Sequence, residues 1–298
     1  MKNNVNNSAG LRGQVAGETE LCTVGQSGTG LTYRGYEITD LAENAEFEEV
    51  AFLLLKGHLP NKTELSNYKN KLKQLRKLPQ ELKSVLEEIP SNSHPMDVMR
   101  TGCSMLGCLE TEEKFEEEDN KIDRMLALFP SIITYWYKFS HESLRIDTVT
   151  DDDTIGSHFL NLLHEKKPSE LHTKVMNVSL ILYAEHEFNA STFAARVCAS
   201  TLSDIHSCIT AAIGTLRGPL HGGANEAAMD LIEKFKSPDE AEKKLLDMLQ
   251  RKEKIMGFGH AVYKESDPRN NVNKNWSEKL SDEVNDNVLY PVSVRCEE

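Results

Sequence analysis

Hydrophobic positions recur every three or four residues along most of the chain, which predicts a mostly α-helical protein. The clearest segment is Phe47–Lys56, which is followed by Gly57 and then Pro60, a usual way for a helix to stop. Further helices are predicted over 63–76, 79–88, 96–109, 121–139, 155–163, 171–186, 192–216, 224–235, 238–249 and 272–284. Since Pro130 falls inside 121–139, that segment is predicted to be kinked or divided in two.

The N-terminal region has a different pattern. Segments 20–24 and 31–38 are rich in residues that favour strands, and they are separated by Gly25, Gly28 and Gly30. This arrangement predicts a short β-hairpin ahead of the helices. The expected fold class is therefore mostly α, with one small N-terminal hairpin.

Composition narrows the classes of protein to which the chain can belong. Its length of 298 residues suggests roughly two domains. The residues are 39% hydrophobic and 27% charged, a balance typical of a soluble globular protein. The net charge of -13 repels phosphate backbones, so we expect no nucleic-acid partner. The polar first seven residues predict no signal peptide, and the apolar runs are too short to cross a membrane.

Six cysteines lie at positions without metal-ligand or C-x-x-C spacing. Several fall in apolar helical segments, where a cysteine behaves as a small hydrophobic residue. Reduced thiols in the cytoplasm are therefore the expected state.

Two glycine-rich turns, each with one histidine, carry the chemistry of the sequence. His221 lies in Gly-Pro-Leu-His-Gly-Gly-Ala-Asn (218–225), and His260 lies in Gly-Phe-Gly-His (257–260). Glycine lets the backbone approach a ligand closely, and a histidine in such a turn is placed to give or take a proton. His221 also precedes a predicted helix, whose dipole disfavours the imidazolium. A neutral imidazole there can donate a hydrogen bond to a forming enolate.

The His260 turn is followed by Lys264 and Arg269, a pattern that suits a phosphate or carboxylate ligand. The alternative is that these cations belong to an ordinary solvated helix end. His186, at the junction of two predicted helices, is a third candidate. A metal pair is disfavoured because His221 and His260 have no third ligand at short spacing, and no phosphate-binding loop or serine nucleophile motif is present.

Taken together, these motifs resemble the citrate synthase family. The resemblance rests on 218–225, on Gly-Phe-Gly-His-Ala-Val-Tyr-Lys-x-x-Asp-Pro-Arg (257–269) and on Glu-His-Glu-Phe-Asn-Ala-Ser (185–191). Segments 96–102 and 183–192 are most similar to the bacterial 2-methylcitrate synthases. The resemblance implies a multi-helical dimer with a large domain over 1–220 and a small domain over 221–298 that holds a CoA-binding turn.

The family also implies roles for individual residues. His221 would stabilise the enol of an acyl-CoA thioester, and His260 would polarise the ketone of oxaloacetate. His186 and Arg269 would bind oxaloacetate carboxylates. The CoA adenine would lie along Met256, Gly257, Phe258 and Gly259, and Lys264 would face the CoA phosphates. No metal or resident cofactor is implied, because CoA enters as part of the substrate.

The implied reaction condenses propionyl-CoA with oxaloacetate to 2-methylcitrate and CoA, with acetyl-CoA giving citrate. Family members continue past the position of Glu298, and their continuation supplies a catalytic aspartate, substrate-binding arginines and further large-domain helices. A chain that stops here is expected to lack that base and to turn over poorly. Two alternatives stay open, namely citrate synthase proper and a truncated, non-catalytic remnant that only binds CoA or a partner chain.

Overall fold

The computed structural model describes residues 16–25, 30–111, 118–258, 263 and 266–298. Within these residues the strands are β1 (Cys22–Thr23), β2 (Thr32–Tyr33) and β3 (Tyr36–Glu37). The helices of the same residues are α1 (Ile38–Asn44), α2 (Phe47–Lys56), α3 (Lys62–Gln74), α4 (Gln80–Glu87), α5 (Pro95–Leu109), α6 (Glu118–Glu142), α7 (Ile155–His164), α8 (Glu170–Tyr183), α9 (Ala190–Ala199), α10 (Ile205–Leu216), α11 (Gly223–Ile232), α12 (Pro238–Gln250), α13 (Pro268–Val284) and α14 (Leu289–Glu297). The predicted fold class, mostly helical with a small N-terminal sheet, is confirmed.

The sheet is antiparallel in the order β1-β2-β3, with Cys22 opposite Tyr33. The segment 31–38 was predicted as one strand, but it reverses at Arg34 and Gly35. Both residues have positive φ angles, 46° and 86°, which a tight turn between two short strands requires. The predicted antiparallel pairing of 20–24 with 31–38 is therefore present as β1 and β2, and a second hairpin, β2 and β3, lies inside the segment predicted as one strand.

Most helix boundaries lie within a few residues of the predicted ones. The helix α2 runs from Phe47 to Lys56 as predicted, and Gly57 closes it with a φ of 91°. Pro130 lies inside α6 without dividing it, and the Thr134 hydroxyl donates a hydrogen bond of 2.6 Å to the Pro130 carbonyl. The prediction that this segment is two helices is wrong.

The single long helix predicted over 192–216 is also wrong. The chain leaves the helix after α9, with Leu202 at a φ of 62°, and α10 starts anew behind Asp204. The Asp204 carboxylate accepts the backbone N–H of Ser207 at 2.9 Å, which is a strong N-cap. The alanine-rich composition of 192–216 favours helix throughout, so the sequence analysis missed the cap at Asp204.

Three groups of buried side chains form the interior. The sheet, α1, α2, α3 and α8 share the first, and α4, α5, α6 and α10 share the second. A smaller third group is built on Phe235, Ala241, Leu245 and Val292, from the α11–α12 connection, α12 and α14. Helix α13 packs against the first group through Val272 and Trp276, so it brings its N-terminal end toward the sheet and α8. No helix among the described residues is long and apolar enough to cross a membrane.

Candidate active site

The connection between α8 and α9 presents His186, and its neighbours hold the backbone in place. Glu185 Oε1 accepts the backbone N–H of His186 at 2.9 Å. Burial raises the pKa of Glu185, although backbone hydrogen bonds from Glu187 and His186 oppose that effect. Glu187 has a φ of 55°, and its carboxylate accepts the backbone N–H of Val24 at 3.1 Å. A strained residue beside a candidate ligand is typical of a functional site.

The ring of His186 contacts Tyr263, a residue that the sequence analysis did not single out. His186 Nε2 lies 3.0 Å from the Tyr263 hydroxyl, and the two rings meet edge to face with centroids 5.5 Å apart. Burial, with the nearby Asp267 charge, raises the pKa of Tyr263 to about 12, so the phenol stays neutral. Its place three residues after His260 was the available signal.

Arg269 lies in the first turn of α13, directly behind its N-cap. The Asp267 carboxylate accepts the Arg269 backbone N–H at 3.0 Å, and it also binds Arg269 Nε at 2.9 Å and Nη2 at 2.6 Å. Burial alone would lower the pKa of Arg269, but the hydrogen bonds and charge of Asp267 raise it overall. The guanidinium is therefore a cation held in place by Asp267.

His221 lies in the turn between α10 and α11, where the sequence placed it. Its backbone N–H donates to the Gly218 carbonyl at 2.9 Å, and its carbonyl accepts from Ala224 at 3.0 Å. The ring Nε2 accepts the backbone N–H of Ser191 at 3.2 Å and lies 2.9 Å from the Ser191 hydroxyl. Ser191 belongs to the first turn of α9, so the imidazole contacts the N-terminus of that helix.

The hydrogen bond from Ser191 and the burial of the ring both favour a neutral imidazole at His221. A backbone N–H can only donate, so the contact from Ser191 favours the tautomer in which Nε2 accepts and the ring proton is on Nδ1. Burial lowers the pKa of His221 below its usual 6.5. Burial and the Ser191 contact both agree with the neutral imidazole predicted from the sequence, while its role in a reaction stays a prediction.

Met256, Gly257 and Phe258 form a turn that lines one wall of a cavity of about 270 Å³ between α11, α13 and α14. Gly257 has a φ of 96°, and a Cβ there would lie 3.0 Å from the Ala228 Cβ. Glycine is thus required both by the backbone and by the packing. His260, Gly259 and Lys264 lie outside the described residues, so their predicted roles stay predictions.

Two contacts tie the start of α11 to the larger part of the molecule. Asn225 Nδ2 donates to the Tyr183 hydroxyl at 2.8 Å. His94 Nδ1 caps α5 by accepting the backbone N–H of Met96, and its Nε2 lies 2.9 Å from a Glu226 carboxylate oxygen. His94 is therefore a structural link between α5 and α11. No group of three potential metal ligands is found among the described residues.

The segment 185–191 thus contacts both groups of candidate residues. His186 contacts Tyr263 near one end of it, and Ser191 contacts His221 at the other end.

A family model described as the C-terminal domain of citrate synthase matches residues 10–298. The chain belongs to the citrate synthase family. It is 69% identical over 289 residues to the 2-methylcitrate synthase of Shewanella oneidensis, a match that covers 97% of this chain and 77% of the relative.

Other members of the family agree with this assignment. Citrate synthase 2 of Bacillus subtilis is 42% identical over 296 residues, which cover 97% of this chain and 78% of the relative. Among solved structures, the Thermoplasma acidophilum citrate synthase in ternary complex with carboxymethyl coenzyme A and oxaloacetate superposes with a TM-score of 0.90 and 33% identity. That match covers 97% of this chain and 77% of the solved one. The Thermotoga maritima citrate synthase gives a TM-score of 0.84 at 36% identity, with 97% of this chain and 76% of that one covered.

Proposed function

We propose that this protein condenses propionyl-CoA with oxaloacetate to give 2-methylcitrate and CoA, and that it also converts acetyl-CoA to citrate. The substrate pair is supported by the name of the Shewanella relative, at 69% identity. It is further supported by the Thermoplasma relative, which was solved with a CoA derivative and oxaloacetate. The observation on this chain that carries the proposal is the hydrogen bond from the Ser191 backbone N–H to His221 Nε2, at a ring whose pKa burial lowers.

That ring is suited to the enol step. A base removes a proton from the carbon next to the thioester carbonyl, and the electron pair moves onto the carbonyl oxygen. The His221 Nδ1–H donates to this oxygen as its charge grows, which an imidazole can do without itself becoming an anion. The enol carbon then attacks the ketone carbon of oxaloacetate, and the electron pair of the C=O bond moves onto the ketone oxygen, which takes a proton from its hydrogen-bond donor and becomes the product hydroxyl. Water cleaves the thioester C–S bond in the last step, and CoA leaves as its thiol.

Oxaloacetate needs donors for its ketone and for two carboxylates. We assign the ketone to His260 and the carboxylates to His186 and Arg269. The buried Asp267 pairing keeps the Arg269 guanidinium charged and oriented, which favours carboxylate binding. No metal takes part in these assignments.

For the acyl-CoA, we assign the adenine to the backbone of Met256, Gly257, Phe258 and Gly259, and the phosphates to Lys264. Gly257 supports this because its positive φ turns the chain sharply, which exposes backbone groups to a ligand. Phe258 is 50% exposed, which leaves an aromatic face available for stacking on a base.

We propose a large domain over 1–220 and a small domain over 221–298 that close on the substrates and exclude water. The separate buried group of Phe235, Ala241, Leu245 and Val292 supports this division.

We also propose that the protein is a homodimer. The support for a dimer is the outer face of α9 and the following turn, where Val197 is 51% and Leu202 is 88% exposed, since apolar side chains this open favour a partner surface.

We also propose a cytoplasmic location. All six cysteines are free thiols, and three of them, Cys22, Cys103 and Cys208, are buried. Unpaired thiols are the usual state in a reducing compartment.

The test is release of CoA thiol from propionyl-CoA or acetyl-CoA in the presence of oxaloacetate, with the acid product identified by mass spectrometry. The proposal expects 2-methylcitrate and a higher kcat/KM for propionyl-CoA. A higher kcat/KM for acetyl-CoA would make the protein a citrate synthase proper. Calorimetry on the same sample separates the last alternative, because CoA binding without any turnover is the behaviour of a non-catalytic remnant.

A further inference from the structure

The hydroxyl of Tyr263 has no role in the reaction as proposed above, yet it contacts one of the assigned substrate ligands. It lies 3.0 Å from His186 Nε2, and its ring meets the imidazole edge to face at 79°. Tyr263 also lies within electrostatic range of Arg269 and Asp267, the pair at the start of α13. One side chain therefore adjoins both of the groups assigned to the oxaloacetate carboxylates.

We infer that Tyr263 is a positioning residue for oxaloacetate, which acts through His186 by fixing the orientation of its imidazole ring. The inference rests on the proposed function, because it takes the ligand of His186 to be a carboxylate of the keto acid. It goes beyond that function by assigning a determinant of keto-acid affinity to a residue that makes no substrate contact itself.

The hydroxyl is the part of Tyr263 that can set this orientation. The terminal torsion of a histidine is broad, with two nearly equivalent ring positions, so packing alone selects weakly between them. A hydrogen bond to one named nitrogen distinguishes the two positions. The backbone of His186 is held by Glu185, whereas the Tyr263 hydroxyl contacts the ring and so acts on the ring torsion. A ring ordered in advance loses less entropy when the carboxylate binds.

The phenol is also suited to act at every working pH. Burial keeps it protonated well above neutrality, with a pKa of about 12, so it remains a hydrogen-bonding neutral group beside His186. The acidic Asp267 and the cationic Arg269 face it from α13, and Glu187 lies near it on the α8–α9 connection.

The experiment replaces Tyr263 by phenylalanine, which keeps the ring and removes the hydroxyl. We expect the Kd for oxaloacetate, measured by titration calorimetry, to rise about fivefold, the effect of one lost neutral hydrogen bond. The KM for oxaloacetate should rise in parallel, while kcat changes less than about twofold and the KM for propionyl-CoA is unchanged, because the ring of His186 acts on binding. Tyr135→Phe is the matched control, since Tyr135 is buried and donates a hydrogen bond of 2.7 Å to Glu87, away from the α8–α9 connection.

A double-mutant cycle tests whether Tyr263 acts through His186. In a His186→Gln background, Tyr263→Phe should leave the oxaloacetate Kd unchanged, because the ring that it orients is gone. An equal effect in both backgrounds would overturn the inference, since Tyr263 would then act on the substrate independently. An unchanged Kd for the single Tyr263→Phe variant, or an equal rise for Tyr135→Phe, would overturn it too. In each of these cases the wild type still binds oxaloacetate, whereas a folded wild type that does not bind it contradicts the proposed function.

Discussion

The backbone nitrogen of Ser191 donates a hydrogen bond of 3.2 Å to Nε2 of His221. This contact joins the first turn of α9 to the glycine-rich turn before α11, which are 30 residues apart in sequence. It favours the tautomer with the ring proton on Nδ1, and it opposes protonation of Nε2 because a second donor cannot share that hydrogen bond. A main-chain group thus selects the tautomer, while burial lowers the pKa of the ring.

The first prediction separates this main-chain contact from the Ser191 side chain. Ser191→Ala removes the hydroxyl, which lies 2.9 Å from Nε2, and keeps the backbone N–H. The pKa of His221, followed by NMR, should therefore stay below 6.5, and kcat should fall less than about tenfold. A pKa of 6.5 or more in the variant would show that the hydroxyl, and not the backbone, keeps the ring neutral.

A second prediction concerns the guanidinium at the start of α13. Arg269→Lys should raise the KM for oxaloacetate about 10- to 100-fold, because an ammonium cannot reproduce the forked, charge-assisted hydrogen bonds. Asp267→Asn should raise it less than about fivefold, since asparagine still caps the helix and the cation remains.

Steady-state kinetics with oxaloacetate as the varied substrate measure both effects. Arg145→Lys is the control, because Arg145 makes a similar two-bonded pair with Glu87, the last residue of α4. If Asp267→Asn were as damaging as Arg269→Lys, the carboxylate itself would be part of the binding site.

A third prediction tests the turn assigned to CoA with a pair of glycines. Gly257 and Gly35 both have strongly positive φ angles, 96° and 86°. Alanine at either position should cost roughly 1–2 kcal/mol of stability from backbone strain. Only Gly257→Ala should also raise the KM for propionyl-CoA, because a Cβ there presses on Ala228 while a Cβ at Gly35 meets nothing within 4 Å. Equal KM values for the two variants would remove the turn from the CoA site.

A fourth prediction concerns the acid stability of the fold. His158 is fully buried between the Ser131 and Thr150 hydroxyls, and burial lowers its pKa from 6.5 to about 3. Between these values the unfolded chain takes up a proton that the folded chain refuses. The free energy of unfolding should therefore decrease as pH falls, by about 1.4 kcal/mol per pH unit for this group.

Urea unfolding at pH 6.5 and pH 5.0 measures this effect, and His158 should account for a loss of about 2 kcal/mol between the two. In His158→Gln that share of the pH dependence should vanish, while the exposed His164→Gln should keep it. A His158→Gln variant with the wild-type slope would assign the acid sensitivity to other groups.

How far the sequence predicts this molecule depends on the range of the interactions. Helix α2 was predicted to its end residues because its cap and its Gly57 stop are both local. The break between α9 and α10 was missed, since the cap at Asp204 competes with strong helix-forming neighbours. The strand over 31–38 was wrong in detail because two positive φ angles at Arg34 and Gly35 outweigh the β-forming residues around them.

In the candidate site, too, the sequence predicted the residues that lie in local motifs and missed those that matter through distant contacts. His221, His186 and Arg269 were found because each lies in a short glycine-rich or charged motif. Ser191 and Tyr263 were not, because their importance lies in contacts over 30 and 77 residues of sequence. A single sequence gives no periodic signal for such pairs, so only the folded chain identifies them.

The most direct test of the account is the rate of CoA thiol release from propionyl-CoA and oxaloacetate by the full-length wild-type protein and by its His221→Gln variant. The account predicts release with 2-methylcitrate as product in the wild type. It predicts a kcat lower by about 10²–10³-fold in the variant, the usual effect of losing one donor to a developing oxyanion. No release by a folded wild type, or a variant as fast as the wild type, would contradict it.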